Sequence, residues 1–421
     1  MGYLVKLAFK NIFRHKLRTI VSISAIIVAI IVVVFARGLI NGMINSTYSD
    51  YFHYQSGHVR VINKEYEQKE RLLSLNHTVS GFSEEEGLDT MFEEFNNIEG
   101  VERVIPRLKF GAIVSTGDEL VEMMGWGVDS QKELDFTNLG ENIAEGRMVE
   151  KGKMEVVMGD SLLQDLNKEV GDKVTIVYNT AFSSLKGATF KIVGKVDSNL
   201  KLLDEKLFYL PLSVAQRQLY LDGQTTEILF ELKDRNMAGE TSNKINALLS
   251  NKGVADKYEA INWREGGGII SFFDLAKNIY NVIYIFIVGL ASFVVINTLI
   301  MIVKERTQEI GMMSSLGLKK SSILKLFIFE GTVMGIIGSF IGAVFGGIIT
   351  KVLSTVGLDF TQAFEGMGEE IIMSTIIYPE HSISNLIFAF FLGVIIVSLA
   401  SIIPARRAAN LEPTDALRDI E

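Results

Sequence analysis

Apolar positions in this chain gather into four long uncharged runs. One lies near the start, Thr19 to Ala36, and three lie near the end, Asn278 to Val303, Gly331 to Thr350 and Ser382 to Ala405. An α-helix rises about 1.5 Å per residue, so roughly 20 residues cover a hydrocarbon core near 30 Å thick. The runs meet that length and predict one membrane crossing, a large water-soluble insert, then three crossings in quick succession. Inside the insert the pattern shortens. Met91, Phe92, Phe95 and Ile98 recur at helical spacing ahead of a strand over Val101 to Ile105. Asp160 to Asn167 reads as a helix leading into a strand over Lys173 to Tyr178. Phe190 to Val196 and Lys206 to Leu212 read as strands, Ser213 to Tyr220 as a short helix, Glu227 to Leu232 as a strand and Met237 to Ser250 as a helix. The insert is therefore α+β, without the βαβα regularity of a nucleotide-binding fold.

Charge placement gives this pattern a direction. Lys6, Lys10, Arg14, Lys16 and Arg18 precede the first run, Lys304, Arg306, Lys319, Lys320 and Lys325 lie between the second and third, and Arg406, Arg407 and Arg418 follow the fourth. The loop between the third and fourth runs is acidic, with Asp359, Glu365, Glu369, Glu370 and Glu380. Basic loops stay in the cytoplasm, so both termini are expected there, with the insert outside. The expected fold class is a membrane α-helical protein with four transmembrane helices, arranged 1+3, and a large α+β extracytoplasmic domain. Its divisions are a cytoplasmic segment 1–18, a first span 19–42, an extracytoplasmic domain with stalks 43–273 and a second span 274–303. A cytoplasmic connecting segment 304–330, a third span 331–350, an outer loop 351–381, a fourth span 382–405 and a cytoplasmic tail 406–421 follow. Segment 1–18 is either an amphipathic interfacial helix, with Leu4, Leu7, Ala8 and Ile12 on one face, or a topogenic basic tail. The first run exceeds the roughly 7 to 15 apolar residues of a secretory signal, and Ala36-Arg37-Gly38 is a poor cleavage site, so it is expected to remain as an anchor.

Composition narrows the chemistry. Apolar residues make up 48% and charged residues 22%, between the values of a pure membrane bundle and a globular enzyme. A net charge of -9 argues against a nucleic-acid partner, and the lack of cysteine removes disulfides, thiolate catalysis and Cys-ligated metals. No GxxxxGK[ST] cradle for ATP phosphates, no HExxH and no GxSxG occurs, and His53 and His58 lack a third ligand. No catalytic residue and no metal site is expected. The spans carry no ionisable group at depth, unlike ion-coupled transporters, so a path for a hydrophilic solute is hard to build. Gly331, Gly335, Gly338, Gly342, Gly346 and Gly347 form a small-residue ridge suited to close helix packing.

Several segments carry a resemblance. Lys304-Glu305-Arg306-Thr307-Gln308-Glu309-Ile310-Gly311, with Gly317, Phe327 and Glu330-Gly331, resembles the cytoplasmic loop of the FtsX/MacB permease superfamily. Pro404-Ala405-Arg406-Arg407-Ala408-Ala409, with Leu411, Pro413 and Ala416-Leu417-Arg418, is similar to the closing signature of that family. In the insert, Val156 to Asp160, Val170-Gly171-Asp172-Lys173-Val174 and Phe190 to Gly194 look like its MacB-type periplasmic core. Within the superfamily, Ser56 to Val61 and Asn262-Trp263-Arg264 resemble the LolC/LolE lipoprotein-releasing permeases.

The resemblance implies a non-catalytic permease subunit of the inner membrane that works as a dimer, with a second copy or a paralogue. It binds no cofactor itself; ATP and Mg belong to a separate ABC ATPase, LolD-like, coupled through Arg306, Glu309, Ile310, Gly311, Gly317, Lys319 and Lys320. Its substrates would be lipoproteins, extracted from the outer leaflet and passed to a LolA-like carrier. An acyl anchor needs an apolar surface. Val33, Phe35, Leu39, Ile40 and Met43 of the first span, with Phe272, Phe273, Ile279, Val282 and Ile283 of the second, are the candidates, ordinary lipid-facing or dimer-facing surface being the alternative. The hairpin from Asn179 to Thr189, with Phe182 and Leu185, is the candidate carrier contact; it is shorter than the LolC hook and has no proline. Other members of the superfamily imply MacB-like efflux of peptides or toxins, or FtsX-like control of a cell-wall hydrolase.

Overall fold

The computed structural model describes residues 16–67, 73–115, 120–198, 200–265, 268–364 and 374–411. Most of segment 1–18, the acidic residues Glu365, Glu369 and Glu370, and the tail motif from Pro413 lie outside them. The chain forms two compact units. One comprises residues up to Ile44, Ser271–Leu358 and the chain from Ile377; the other comprises Asn45–Ile270 with Asp359–Ile376.

The first unit is helical, built from α1 (Lys16–Tyr51) up to Ile44, α2 (Gly268–Glu305) from Ser271, the short α3 (Thr307–Ser315), α4 (Lys320–Val356), α5 (Ile383–Ala400) and the short α6 (Ile402–Ala409). Four of its helical stretches are long and apolar enough to cross a membrane. Their ends run past the apolar runs. α4 begins at Lys320, well ahead of Gly331, because lysines in a terminal turn reach the aqueous boundary without interrupting the backbone. Ile26, Ile30, Val288, Val295, Leu299, Phe327, Met334 and Val397 form its buried apolar core. Helices in lipid gain little from hydrophobic burial, so contact distance decides their association. The glycine ridge of α4 supplies that contact on two faces. A Cβ at Gly338 would lie 2.8 Å from the Ile26 Cβ of α1, and one at Gly342 would lie 2.8 Å from the Ile30 Cβ. On its other side, Gly335 faces Val397 of α5. The ridge therefore joins helices of the same chain.

The second unit is built on a sheet of ten strands among the described residues: β1 (Val59–Asn63), β2 (Val101–Ser115), β3 (Leu120–Val128), β4 (Ile143–Gly146), β5 (Glu155–Gly159), β6 (Lys173–Asn179), β7 (Leu185–Val196), β8 (Leu207–Pro211), β9 (Glu227–Leu232) and β10 (Tyr258–Asn262). Their order is β10-β1-β9-β2-β3-β8-β5-β7-β4, with β6 joined to β2 and β7. Among the described pairings, β3 with β8 and β5 with β7 run parallel. The sequence pattern finds β6, β8, β9 and the helix Ala238–Asn251, but it shortens β2 and β7 and overlooks β3, β10 and the helix Ser130–Phe136. β3 escapes because it holds Gly125 and Gly127 and its last four residues are all buried, which erases the alternation of a half-buried strand. Phe110, Phe190, Phe208 and Leu210 anchor one core cluster, and Trp126, Tyr54 and Tyr209 anchor another.

A buried cation fixes the entry to this unit. Arg107 of β2 is 0% exposed and meets Glu133 through Nη2 to Oε1 at 2.7 Å and Nε to Oε2 at 3.1 Å. It also donates to the carbonyls of Tyr54 at 3.0 Å and His53 at 2.5 Å, with its guanidinium 4.6 Å from the Trp126 ring centre. A charge withdrawn from water is tolerated only when paired and hydrogen-bonded, so β2, the helix Ser130–Phe136 and the chain at residues 53 and 54 are held to one geometry.

Two outcomes test this packing. Gly342→Leu forces a side chain into Ile30 and should cost about 1–3 kcal/mol or more, read as a lower midpoint of thermal unfolding in detergent and compared with Gly289→Leu, which meets nothing. The second concerns pH. The Leu232 N–H donates to His58 Nδ1 at 2.9 Å, which requires that nitrogen to be unprotonated. Burial first, then His53 and Arg235, lower its pKa from the ordinary 6.5 to about 4. Between those values the unfolded chain binds the proton and the folded chain does not, so stability falls as pH drops from 6.5 toward 4. His58→Gln should flatten that dependence when unfolding is followed by tryptophan fluorescence.

Candidate functional site

The segment joining the second and third membrane helices is shaped by three local features. The helix α2 breaks at Arg306, whose φ of -101 and ψ of 14 depart from helical values, and α3 starts at the next residue. At the other end of α3, Gly317 takes a φ of +88, a conformation that side chains resist. Its N–H and that of Leu318 cap the helix by donating to the Ser314 and Met313 carbonyls, each at 3.0 Å. Lys319 is extended and α4 begins.

Arg306 holds this turn in place. Its Nη1 lies 3.2 Å from Glu330 Oε1 of α4 and its Nε lies 2.9 Å from Glu309 Oε2 of α3. Arg306 is 6% exposed and Glu330 is 2% exposed. Of the predicted coupling residues, Ile310 and Gly311 turn inward against the bundle, whereas Lys319 and Lys320 are exposed. Pattern reading misses the apolar part of the same surface, Met312 and Leu316, the latter 88% exposed. Its signal is the position of Leu316 directly before a left-handed glycine, beyond the reach of the inward face of α3.

The predicted apolar residues separate into two groups. Val33 and Phe273 are buried, and Phe35, Leu39, Ile40 and Met43 are half-buried along α1. Phe272, Ile279, Val282 and Ile283 are exposed on α2 and continue into Phe286 and Phe293. Arg37 lies within the first candidate span, Lys16–Ser56, just past its apolar run. Its Nε donates to Asn385 Oδ1 of α5 at 3.0 Å and its Nη1 to Asn281 Oδ1 of α2 at 3.1 Å. Asn41 Nδ2 donates to the same Asn385 oxygen at 3.1 Å, and the guanidinium sits 3.8 Å from the Phe388 ring centre. Arg37 directly follows the first apolar run, and its partners come from two distant runs, so the linear pattern gives no sign of their meeting.

The β6–β7 hairpin closes through the Thr180 N–H donating to the Ser184 carbonyl at 2.9 Å and a 2.7 Å contact between the two hydroxyls. Asn179 ends β6, and Phe182 and Leu185 are exposed at the tip. The Phe182 ring stands 5.9 Å from that of Tyr220, a half-exposed residue with positive φ that pattern reading overlooks. No cluster of three His, Asp or Glu side chains suited to a metal occurs among the described residues.

Sequence comparison covers both units. Residues 19–248 match the MacB-like periplasmic core domain, and residues 281–413 match the FtsX-like permease C-terminal domain. The chain is similar to the lipoprotein-releasing system transmembrane protein LolE of Haemophilus influenzae, at 27% identity over 350 residues, 79% of this chain and 80% of that one. It is similar to LolC of Neisseria meningitidis at 24% over 339 residues, 76% of this chain and 79% of the relative. An uncharacterized ABC transporter permease of Methanocaldococcus jannaschii matches at 24% over 430 residues, 99% of this chain and 97% of its own length.

The buried Arg306–Glu330 pair makes a sharp forecast. Glu330→Gln, which leaves the arginine under-compensated, should destabilise the detergent-solubilised protein by about 3–5 kcal/mol, and pairing it with Arg306→Met should restore most of the loss. Thermal unfolding of both variants checks this, and a double variant no better than Glu330→Gln contradicts it.

Proposed function

Because the chain belongs to the FtsX/MacB family of ABC transporter permeases, we propose that it is the permease subunit of an ATP-driven complex that extracts lipoproteins from the outer leaflet of the inner membrane and hands them to a periplasmic carrier. The observation that carries this reading is the likeness, in order and over about three quarters or more of the chain, to two lipoprotein-releasing permeases. In it the protein is multi-pass with both termini cytoplasmic, as the distribution of lysine and arginine suggests. ATP and Mg are bound by a separate LolD-like ATPase. Leu316, Met312, Lys319 and Lys320 offer that partner an apolar knob beside two cations, and the Arg306 clamp transmits its movement to α4. The working assembly pairs this chain with a second copy or a paralogue.

The exposed apolar face of α2 suits an acyl anchor. Each buried methylene contributes about 0.8 kcal/mol, nearly what surrounding lipid offers, so the face competes closely with the bilayer and ATP-driven closure supplies the release. Phe182, Leu185 and Tyr220 give the hairpin an apolar tip for a LolA-like carrier.

The test is purification of the full chain with its ATPase from the native membrane, followed by mass spectrometry of what co-purifies. Lipid-modified proteins are expected. An eluate holding only unlipidated peptides refutes the proposal in favour of MacB-like export, and one holding a cell-wall hydrolase without lipoprotein refutes it in favour of an FtsX-like regulator. Val282→Asp with Ile283→Asp should reduce captured lipoprotein about tenfold or more, since a carboxylate in a span costs about 2.5–3.5 kcal/mol. Phe182→Ser with Leu185→Ser should leave capture intact and slow transfer to the carrier.

A further inference from the structure

The end of α2 and the helix α6 enclose a cleft of about 470 Å³, within the roughly 300–1,000 Å³ of small-ligand sites. Lys304, Arg406, Arg407 and Asn410 supply its polar side, and Val303 and Leu411 contribute to its apolar wall. Of the described acidic side chains near this end of the bundle, Glu305 pairs with Arg18, and Glu309 and Glu330 pair with Arg306. Among the described residues, Lys304, Arg406 and Arg407 form no ion pair with any carboxylate. The end of α6 presents only a partial negative charge, about half a unit, which offsets a fraction of three full cations.

We infer that this cleft holds the headgroup of an anionic phospholipid, its phosphate among Lys304, Arg406 and Arg407 and its acyl chains along the apolar wall. Basic hollows between membrane helices are suited to such headgroups, and each nearby lysine or arginine strengthens the attraction about fivefold. Arginine adds paired donors that match phosphate oxygens, while Asn410 offers a further amide donor. The alternative partner for the same cations is an acidic surface on an ATPase subunit. The apolar wall beside the cations favours lipid, whose acyl chains and phosphate are joined in one molecule and match both sides of the cleft at once.

The experiment uses the full chain in nanodiscs of phosphatidylcholine with and without phosphatidylglycerol, followed by detergent extraction and lipid mass spectrometry. The wild type should retain phosphatidylglycerol over phosphatidylcholine. Arg406→Gln with Arg407→Gln should weaken that retention about 25-fold, at about fivefold per cation. Lys319→Gln with Lys320→Gln, whose cations lie outside the cleft, should leave it unchanged. If the double arginine variant does not fold, Lys304→Gln carries the same test with an expected loss of about fivefold. Retention equal to wild type in the cleft variants overturns the inference, as does equal loss in the Lys319 and Lys320 control. Unchanged lipid with loss of a co-purifying ATPase also overturns it and assigns the cations to that subunit. Both leaflets of a nanodisc carry the same lipid, so the result depends neither on the orientation of the chain nor on its transported substrate.

Discussion

The near-contact of α1 and α4 at the glycine ridge is the constraint on which the membrane unit rests. In lipid, burying one apolar helix against another exchanges hydrocarbon for hydrocarbon, and the gain comes from how closely the backbones approach. Gly338 and Gly342 allow Ile26 and Ile30 to settle into α4 where any side chain would hold them away. With one glycine face given to α1 and the other to α5, α4 is the central element of its unit, and the turn pinned by Arg306 is attached directly to its base.

Charge in this protein is spent on position as well as solubility. Arg107 binds Glu133 and two main-chain carbonyls within the soluble unit, and Arg306 binds carboxylates from two helices. In each case one guanidinium ties more than one element together. Planar guanidinium groups suit this task because several fixed donors satisfy several acceptors at once. The contrast with Lys304, Arg406 and Arg407, which gather without a carboxylate partner among the described residues, separates cations that organise the fold from cations open to something outside it.

The membrane helices are legible in the sequence because hydrocarbon imposes both length and composition, and the ridge is legible because glycines at spacings of three to four residues fall on one helix face. Their ends are not, since the lysines at the start of α4 are tolerated at an aqueous boundary as readily in a helix as in a loop. In the soluble unit, strands with one wet face keep their alternation, as β6 does, while β3, fully buried toward its end, does not. The coupling turn shows the same division. Lys319 and Lys320 stand out in the sequence, but the inward rotation of Ile310 and Gly311 and the exposure of Leu316 follow from the Arg306 clamp, a contact between residues far apart in the chain.

Arg37 carries a mechanical implication. Its guanidinium grips amide oxygens on α2 and α5 while projecting from α1, with the Phe388 ring against its face. Sliding α1 by a turn past either neighbour would part those donors from their acceptors and leave the cation without them. Piston-like travel of α1 alone is thereby penalised, because it would break contacts to two neighbours at once.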